Sequence, residues 1–213
     1  MSLNNISIRS FKSEDLLHCQ DITRAVYQEQ GYTDGYAEKA IIEGDLADIQ
    51  MNYVNISGGH WWVAVFDNEQ IIGQIGIQPL SIGNEACYRD ILQNSESALS
   101  IHPDQICELR RLAVLSKYRR QHIASRLVRT LIEYAKNIDY KAIHLTTLTE
   151  MKAACQLYEK FGFKRDKIEQ YNINIDSNNK IKYTKSTVFD HHLIDLPMSE
   201  SQRLYVQHYW LML

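Results

Sequence analysis

The stretch Cys107–Phe163, CELRRLAVLSKYRRQHIASRLVRTLIEYAKNIDYKAIHLTTLTEMKAACQLYEKFGF, decides the reading of this 213-residue chain. Its pattern predicts a strand over Cys107 to Val114, a basic loop, and an amphipathic helix over Ile123 to Lys136. A buried strand over Ala142 to Leu148 follows, then a helix over Glu150 to Phe161, capped by Thr149 and stopped by Gly162. In the first helix Ile123, Leu127, Val128, Leu131, Ile132 and Ala135 fall on one stripe. The loop before it, Leu115 to Ser125, joins a strand to a helix N-terminus, where unpaired backbone N–H groups and the helix dipole favour an anion. Lys117, Arg119 and Arg120 stand at that positive end, the wrong sign for the helix alone. A solvated basic turn would read the same way in isolation.

Upstream, Ile6, Ile8 and Phe11 open a short strand, and apolar residues from Leu16 to Val26 recur at helical spacing before Gly31. Tyr32 to Tyr36 reads as a turn and Ala37 to Ile49 as a second helix. His60 to Phe66 and Ile71 to Leu80 form a hairpin. Gly83 to Gln105 is polar and weakly patterned, an insertion or long loop. Downstream, Phe163 to Ile175 reads as a strand, 176–179 as a turn, Lys180 to Arg203 as irregular with room for an extra strand, and Leu204 to Leu213 as a closing strand. No repeat, low-complexity tract or linker interrupts the chain, so a single α+β domain over 1–213 is expected.

The bulk properties narrow the function. The formal net charge is -3, with 45% hydrophobic and 23% charged residues. That balance speaks against a nucleic-acid surface, which shows as a basic excess. No apolar run approaches the ~20 residues of a membrane span, and the first residues lack the plan of a signal peptide. A cytoplasmic protein that engages neither nucleic acid nor membrane is expected. Cys19, Cys87, Cys107 and Cys155 are scattered and read as reduced packing residues. His191-His192 has no third ligand nearby, so no metal is expected.

Two motifs carry a resemblance. Arg119-Arg120-Gln121-His122-Ile123-Ala124 is similar to the phosphate loop of the GNAT superfamily of acyl-CoA-dependent N-acyltransferases, Q/R-x-x-G-x-G/A. His122 stands where that loop has its middle glycine, which lets the backbone approach the CoA pyrophosphate. Ala154-Cys155-Gln156-Leu157-Tyr158-Glu159-Lys160-Phe161-Gly162-Phe163 resembles the family's A-x-x-L-Y-E-K-x-G-F almost letter for letter. Met151 stands where the family often has asparagine.

The resemblance implies a fold with α/β/α layers: a mixed, mostly antiparallel central sheet of about seven strands flanked by helices. Its cofactor-binding core would be 107–165, with insertions near 83–105 and 176–203. The strand after Cys107 would carry a bulge whose Leu112, Ala113 and Val114 backbone groups orient pantetheine. Arg119, Arg120, Gln121, His122, Ile123, Ala124 and Ser125 would hold the pyrophosphate. Tyr158 would protonate the departing thiolate, a role suited to a phenol that stays protonated at neutral pH. Glu108 would take a proton from the amine, or serve only as a strand-edge partner of Arg110 or Arg111.

The implied activity is acetyl transfer from acetyl-CoA to a primary amine of a small molecule, without a metal or a covalent enzyme intermediate. A protein N-terminus or lysine as acceptor, and a degenerate acyl-CoA binder or sensor, are the alternatives. A homodimer is left open. Softer candidates for the acceptor side are Glu29, Tyr32, Asp34, Tyr36, Trp61, Trp62, Tyr171 and Tyr209.

Overall fold

In a computed structural model the structure describes residues 5–31, 39, 41–67, 69–82, 91–92, 101–175, 181–189 and 203–213. The expected turn at Tyr32–Tyr36, most of the 83–105 insertion, the 176–179 turn, Cys87 and His191-His192 therefore lie outside the described residues. Two compact units partition the chain, Met1–Pro79 with Cys107–Asp139 and Leu80–Ile106 with Tyr140–Leu213.

The first unit holds strands β1 (Ile6–Ser10), β2 (His60–Phe66), β3 (Gln70–Pro79) and β4 (Ile106–Val114), paired antiparallel in that order. Helix α1 (Leu16–Glu29) covers one face and α2 (Ile123–Asn137) the other. Side chains alternate across a strand, and the Trp61-Trp62 dipeptide displays both layers. Trp61 is fully buried in the cluster with Cys19 and Ile22 of α1, its ring edge-on to Tyr53 at 4.6 Å. Trp62 points the other way and meets Tyr134 of α2 at 5.1 Å. Gly76 makes the first packing feasible: a Cβ there would lie 2.5 Å from the Trp61 ring.

The expected helix over Ala37–Ile49 is corrected. Helical bonding reaches Ile42, the chain turns through 43–46, and a π-helical turn forms at Gln50–Val54. The Leu46 amide donates back to the Ile41 carbonyl at 3.1 Å, closing the helix end. Gln20 then donates to the Leu46 carbonyl and Asn52 to the Asp45 carbonyl, each at 3.0 Å. These side chains satisfy carbonyls that a continuing helix would have satisfied itself.

The second unit holds β5 (Ala142–Leu148), β6 (Lys164–Ile175), β7 (Ile181–Phe189) and β8 (Arg203–Met212), with β8 between β5 and β6, and β7 on the far side of β6. Strand β7 occupies part of the segment expected to be irregular, so eight strands are described against the seven or so expected. Helix α3 (Lys152–Lys160) starts two residues later than the sequence suggests, and Met151, not Thr149, precedes it. Thr149 lies in a turn, its amide spent on the Tyr205 carbonyl at 3.0 Å. The helix ends as predicted, at Gly162 with φ +89°. There the Phe163 amide returns to the Tyr158 carbonyl and the Gly162 amide to that of Glu159, the paired bonds of a left-handed cap. No described helix is long and apolar enough to cross a membrane.

A buried polar network ties this second sheet together. A bulge on β6 between Arg165 and Ile168 exposes two carbonyls, and the Gln207 amide donates to both, Asp166 at 2.9 Å and Lys167 at 3.2 Å. Beyond the bulge Glu169 gathers Lys167 Nζ at 2.8 Å, Lys185 Nζ at 2.9 Å, the Tyr171 hydroxyl at 2.7 Å and His208 Nε2 at 3.4 Å. His208 Nδ1 in turn lies 3.1 Å from His144 Nε2. Four strands thus share one charge cluster whose Glu169, His208, His144 and Lys167 are all buried.

Burial alone would raise the Glu169 carboxyl, but His208, Lys167, Tyr171 and Lys185 outweigh it and hold it far below the carboxylate range. Burial lowers His208 against the opposing pull of Glu169. Both groups therefore bind protons less readily folded than unfolded, so stability must fall with pH. The His208 share is lost from about pH 6.5 downward and the Glu169 share from about pH 4.3. Thermal denaturation across pH should show this two-stage fall. Glu169→Gln should lower Tm at pH 7 and shrink the lower stage, to which Asp15, held down against burial by Arg9, and Asp45, held down against burial by Arg111, also contribute. A Glu169→Gln protein with the wild-type acid profile would contradict the assignment.

Candidate functional site

Strand β4 departs from regular pairing at one point. Gly76 of β3 faces Arg110 and Gln74 faces Ala113, so β4 carries one residue more than its partner between them. The extra residue is absorbed at Arg111, whose φ is +56°. A non-glycine residue in that region is strained and persists only where its surroundings hold it.

Asp45 supplies the hold. Its carboxylate accepts from Arg111 Nε at 2.9 Å and Nη2 at 2.7 Å, a two-pronged pair, and also from the Tyr53 hydroxyl. Burial pushes Asp45 up, yet the Arg111 guanidinium, with Tyr53 and Arg110, brings its carboxyl below the ordinary value. Tyr53 is delivered by the π-helical turn, an insertion common at functional sites. Beyond the bulge, Leu112 and Ala113 are half-buried. The Val114 carbonyl accepts from Arg119 Nε at 3.0 Å, and the same guanidinium reaches Glu29 at 2.6 Å.

From Arg119 the chain enters α2 through two left-handed residues, Arg120 at φ +62° and His122 at φ +59°. His122 stands immediately before the helix and its side chain does not cap it. The amides of Ile123, Ala124 and Ser125 form the first turn, where an α-helix has no internal acceptors. No acidic residue occupies that turn. Lys117, Arg119, Arg120 and His122 are exposed around it, Gln121 half-exposed. The expected glycine position thus requires a left-handed residue. Histidine is among the side chains that tolerate one.

In the second unit Tyr158 is buried on α3, its ring 5.8 Å from Phe163 and 6.0 Å from Tyr209. Burial, reinforced by Cys155, pushes its phenol above the usual value near 10. Tyr209 donates to Glu159 at 3.1 Å, and Glu159 also accepts from Arg165 at 2.6 Å.

The model of the acetyltransferase (GNAT) family matches residues 24–163, which include the bulge, the loop and the tyrosine. The chain belongs to that family. The probable N-acetyltransferase camello of Xenopus tropicalis is 29% identical over 125 residues, 59% of this chain and 48% of that protein. The N-acetylaspartate synthetase of Danio rerio is 34% identical over 121 residues, 57% of this chain and 35% of that protein. The chain thus spans half or less of these curated relatives' length. Solved structures extend the likeness to the whole fold. An acetyltransferase from Streptococcus agalactiae superposes with TM-score 0.63 at 15% identity, covering 98% of this chain and 99% of that one. The acetyltransferase yncA of Salmonella typhimurium, solved with acetyl-CoA, gives 0.59 at 12%, covering 98% and 94%.

Within the GNAT frame the expected residues group unevenly. Leu112 to Val114 and Arg119 to Ser125 follow one another through bulge, loop and helix start in the first unit. Glu108 lies on β4 with its side chain 19% exposed and 3.2 Å from Arg110, the strand partner that the sequence allowed. Of the softer candidates, Glu29 is engaged by Arg119, Tyr171 by Glu169, and Trp61 and Trp62 are core. Tyr32, Asp34 and Tyr36 lie outside the described residues. Sequence reasoning missed Asp45, whose partner Arg111 is 66 residues away, and with it Tyr53, which bonds Asp45. Only the polarity of Asp45 beside Gly44, where a helix was expected, hinted at an interruption.

Two outcomes test this geometry. Asp45→Ala removes the carboxylate from a part-buried guanidinium and should cost about 2 kcal/mol, or roughly 4–8 °C in Tm. It should also raise KM for acetyl-CoA more than it lowers kcat, because the bulge relaxes. His122→Gly relieves left-handed strain but frees the unfolded chain, so Tm should move by no more than about 3 °C. Acetyl-CoA affinity should hold or tighten; a marked loss in calorimetric titration would make the imidazole itself a ligand.

Proposed function

We propose that the chain is an N-acetyltransferase that moves the acetyl group of acetyl-CoA to a primary amine of a small molecule. The observation that carries this reading is the backbone of the first unit. A strained bulge at Arg111 leads through a left-handed His122 to a helix start whose first amides have no acceptor within the helix, all inside the GNAT match. Such a helix start binds a diphosphate through backbone N–H groups and the dipole. Relatives named for small-molecule products, such as the N-acetylaspartate synthetase, support a small acceptor.

In this reading the amides of Ile123 to Ser125 hold the pyrophosphate, with Arg120 and Lys117 adding charge. Arg119 stabilises the loop through Val114 and Glu29 while contributing its field. Backbone groups of Leu112, Ala113 and Val114 orient the pantetheine. Glu108 takes a proton from the acceptor's ammonium, directly or through a water. The freed nitrogen pair attacks the thioester carbonyl carbon, and the carbon–sulfur bond breaks with its electrons going to sulfur. Tyr158 gives the thiolate a proton that its burial holds in place at neutral pH, and the acetylated nitrogen sheds its second proton to solvent, from which the Tyr158 phenol is restored.

Millimolar acetyl-CoA should raise Tm, because a ligand that binds the folded state stabilises it by mass action. An unmoved Tm would remove the reading. Tyr158→Phe should lower kcat with acetyl-CoA affinity kept; unchanged turnover in a CoA-release assay would remove its acid role.

A further inference from the structure

The face of β4 that carries Glu108 also carries Arg110, two residues on and roughly 6.7 Å along the strand. On neighbouring β3 they stand opposite Gln78 and Gly76. Gly76 has no side chain, and the space over it is taken by the Trp61 and Tyr53 rings. The charges on this face divide into two pairs of unequal quality. Asp45 and Arg111 satisfy one another through two short bonds, with Tyr53 completing the carboxylate. Glu108 and Arg110 meet through one longer contact of 3.2 Å, and Arg110 Nη2 is 3.9 Å from Asp45. A guanidinium has five N–H donors in a planar fork. Among the described residues Arg110 spends one of them in a hydrogen bond, although its side chain is only 33% exposed. A part-buried cation with spare donors is an incomplete arrangement.

The consequence concerns which amine can bind. If Glu108 takes the acceptor's proton, the incoming ammonium competes with Arg110 for the same carboxylate. A plain amine would pull Glu108 away and leave the part-buried guanidinium with only Asp45, 3.9 Å off and already held by Arg111. An acceptor carrying a carboxylate on the carbon next to its amine returns what it removes. Its ammonium meets Glu108 while its carboxylate meets the fork of Arg110, which matches carboxylate geometry. Gln78 does not compete, because its amide donates to the Asn52 carbonyl.

We propose that the Glu108–Arg110 pair is a receptor for a zwitterion: the acceptor is an α-amino acid, and Arg110 is the specificity-determining residue that holds its carboxylate. This deepens the acetyltransferase reading and rests on it.

The test compares each protein amino acid with its decarboxylated amine, for example leucine with isopentylamine and phenylalanine with phenethylamine, following CoA release with acetyl-CoA. The preferred amino acid should exceed its amine at least tenfold in kcat/KM. Arg110→Gln should bring acid and amine to the same kcat/KM, mainly by raising KM for the acid, and Arg110→Lys should restore part of the preference. An unaltered acetyl-CoA shift in Tm shows that each variant is folded. A wild-type enzyme that treats amine and acid alike, or a preference that survives Arg110→Gln, overturns the proposal.

Absence of turnover with every compound, despite the Tm shift, would count against the activity and leave the subsite open to direct measurement. Calorimetric titration of the same pairs into CoA-bound protein then decides. Carboxylate-dependent binding lost in Arg110→Gln supports the receptor, and its absence overturns it.

Discussion

The ion pair between Arg111 and Asp45 is the interaction on which the first unit's functional geometry depends. An extra residue in β4 must go somewhere, and it goes into a left-handed Arg111 that would not hold that conformation unaided. The guanidinium's two bonds to Asp45 fix it, and Tyr53 fixes Asp45. Everything downstream inherits that position: the register of Ala113 and Val114 on β3, the Arg119 brace onto Val114, and the approach to α2. Past Leu112, Ala113 and Val114 resume pairing with Gln74 and Gly73 of β3, so the bulge offsets only Arg111 and Leu112 from that ladder.

The pair also explains why a helix expected from Ala37 to Ile49 stops early. Asp45 can reach Arg111 because the chain turns at 43–46, with Gln20 and Asn52 replacing the helical hydrogen bonds that are given up. The π-helical turn that follows aims Tyr53 at the same carboxylate. Local propensity was overruled by a contact to a residue far along the chain, as happens when tertiary electrostatics outweigh a few tenths of a kcal/mol per residue.

The second unit shows the same logic with a different purpose. A bulge in β6 brings Lys167 and Glu169 into one cluster, and His208, His144, Lys185 and Tyr171 complete it from three further strands and from β6 itself. Burying these charges is expensive unless nearly every one is answered. The cluster therefore specifies strand register more sharply than an apolar sheet would. None of its members forms a local motif, and their spacing in sequence is unremarkable. Tyr158, by contrast, sits in a motif that was legible letter by letter, and its burial adds only the reason its proton is held.

The sequence by itself determined most of the elements and pointed to the family. The hairpin, the α2 stripe, the Gly162 stop and the tyrosine motif are local patterns, set by side-chain period and by residues with unusual backbone freedom, so they can be read in a line. The loop's departure was legible too, as a histidine in a glycine position. Only the tertiary structure decided that this histidine adopts the glycine's left-handed conformation. It also decided that Asp45 holds the bulge, and that Glu108 shares its face with Arg110, whose side chain makes one hydrogen bond among the described residues. Those facts depend on which residues meet across long separations, and electrostatic pairing between distant residues leaves no period in the chain.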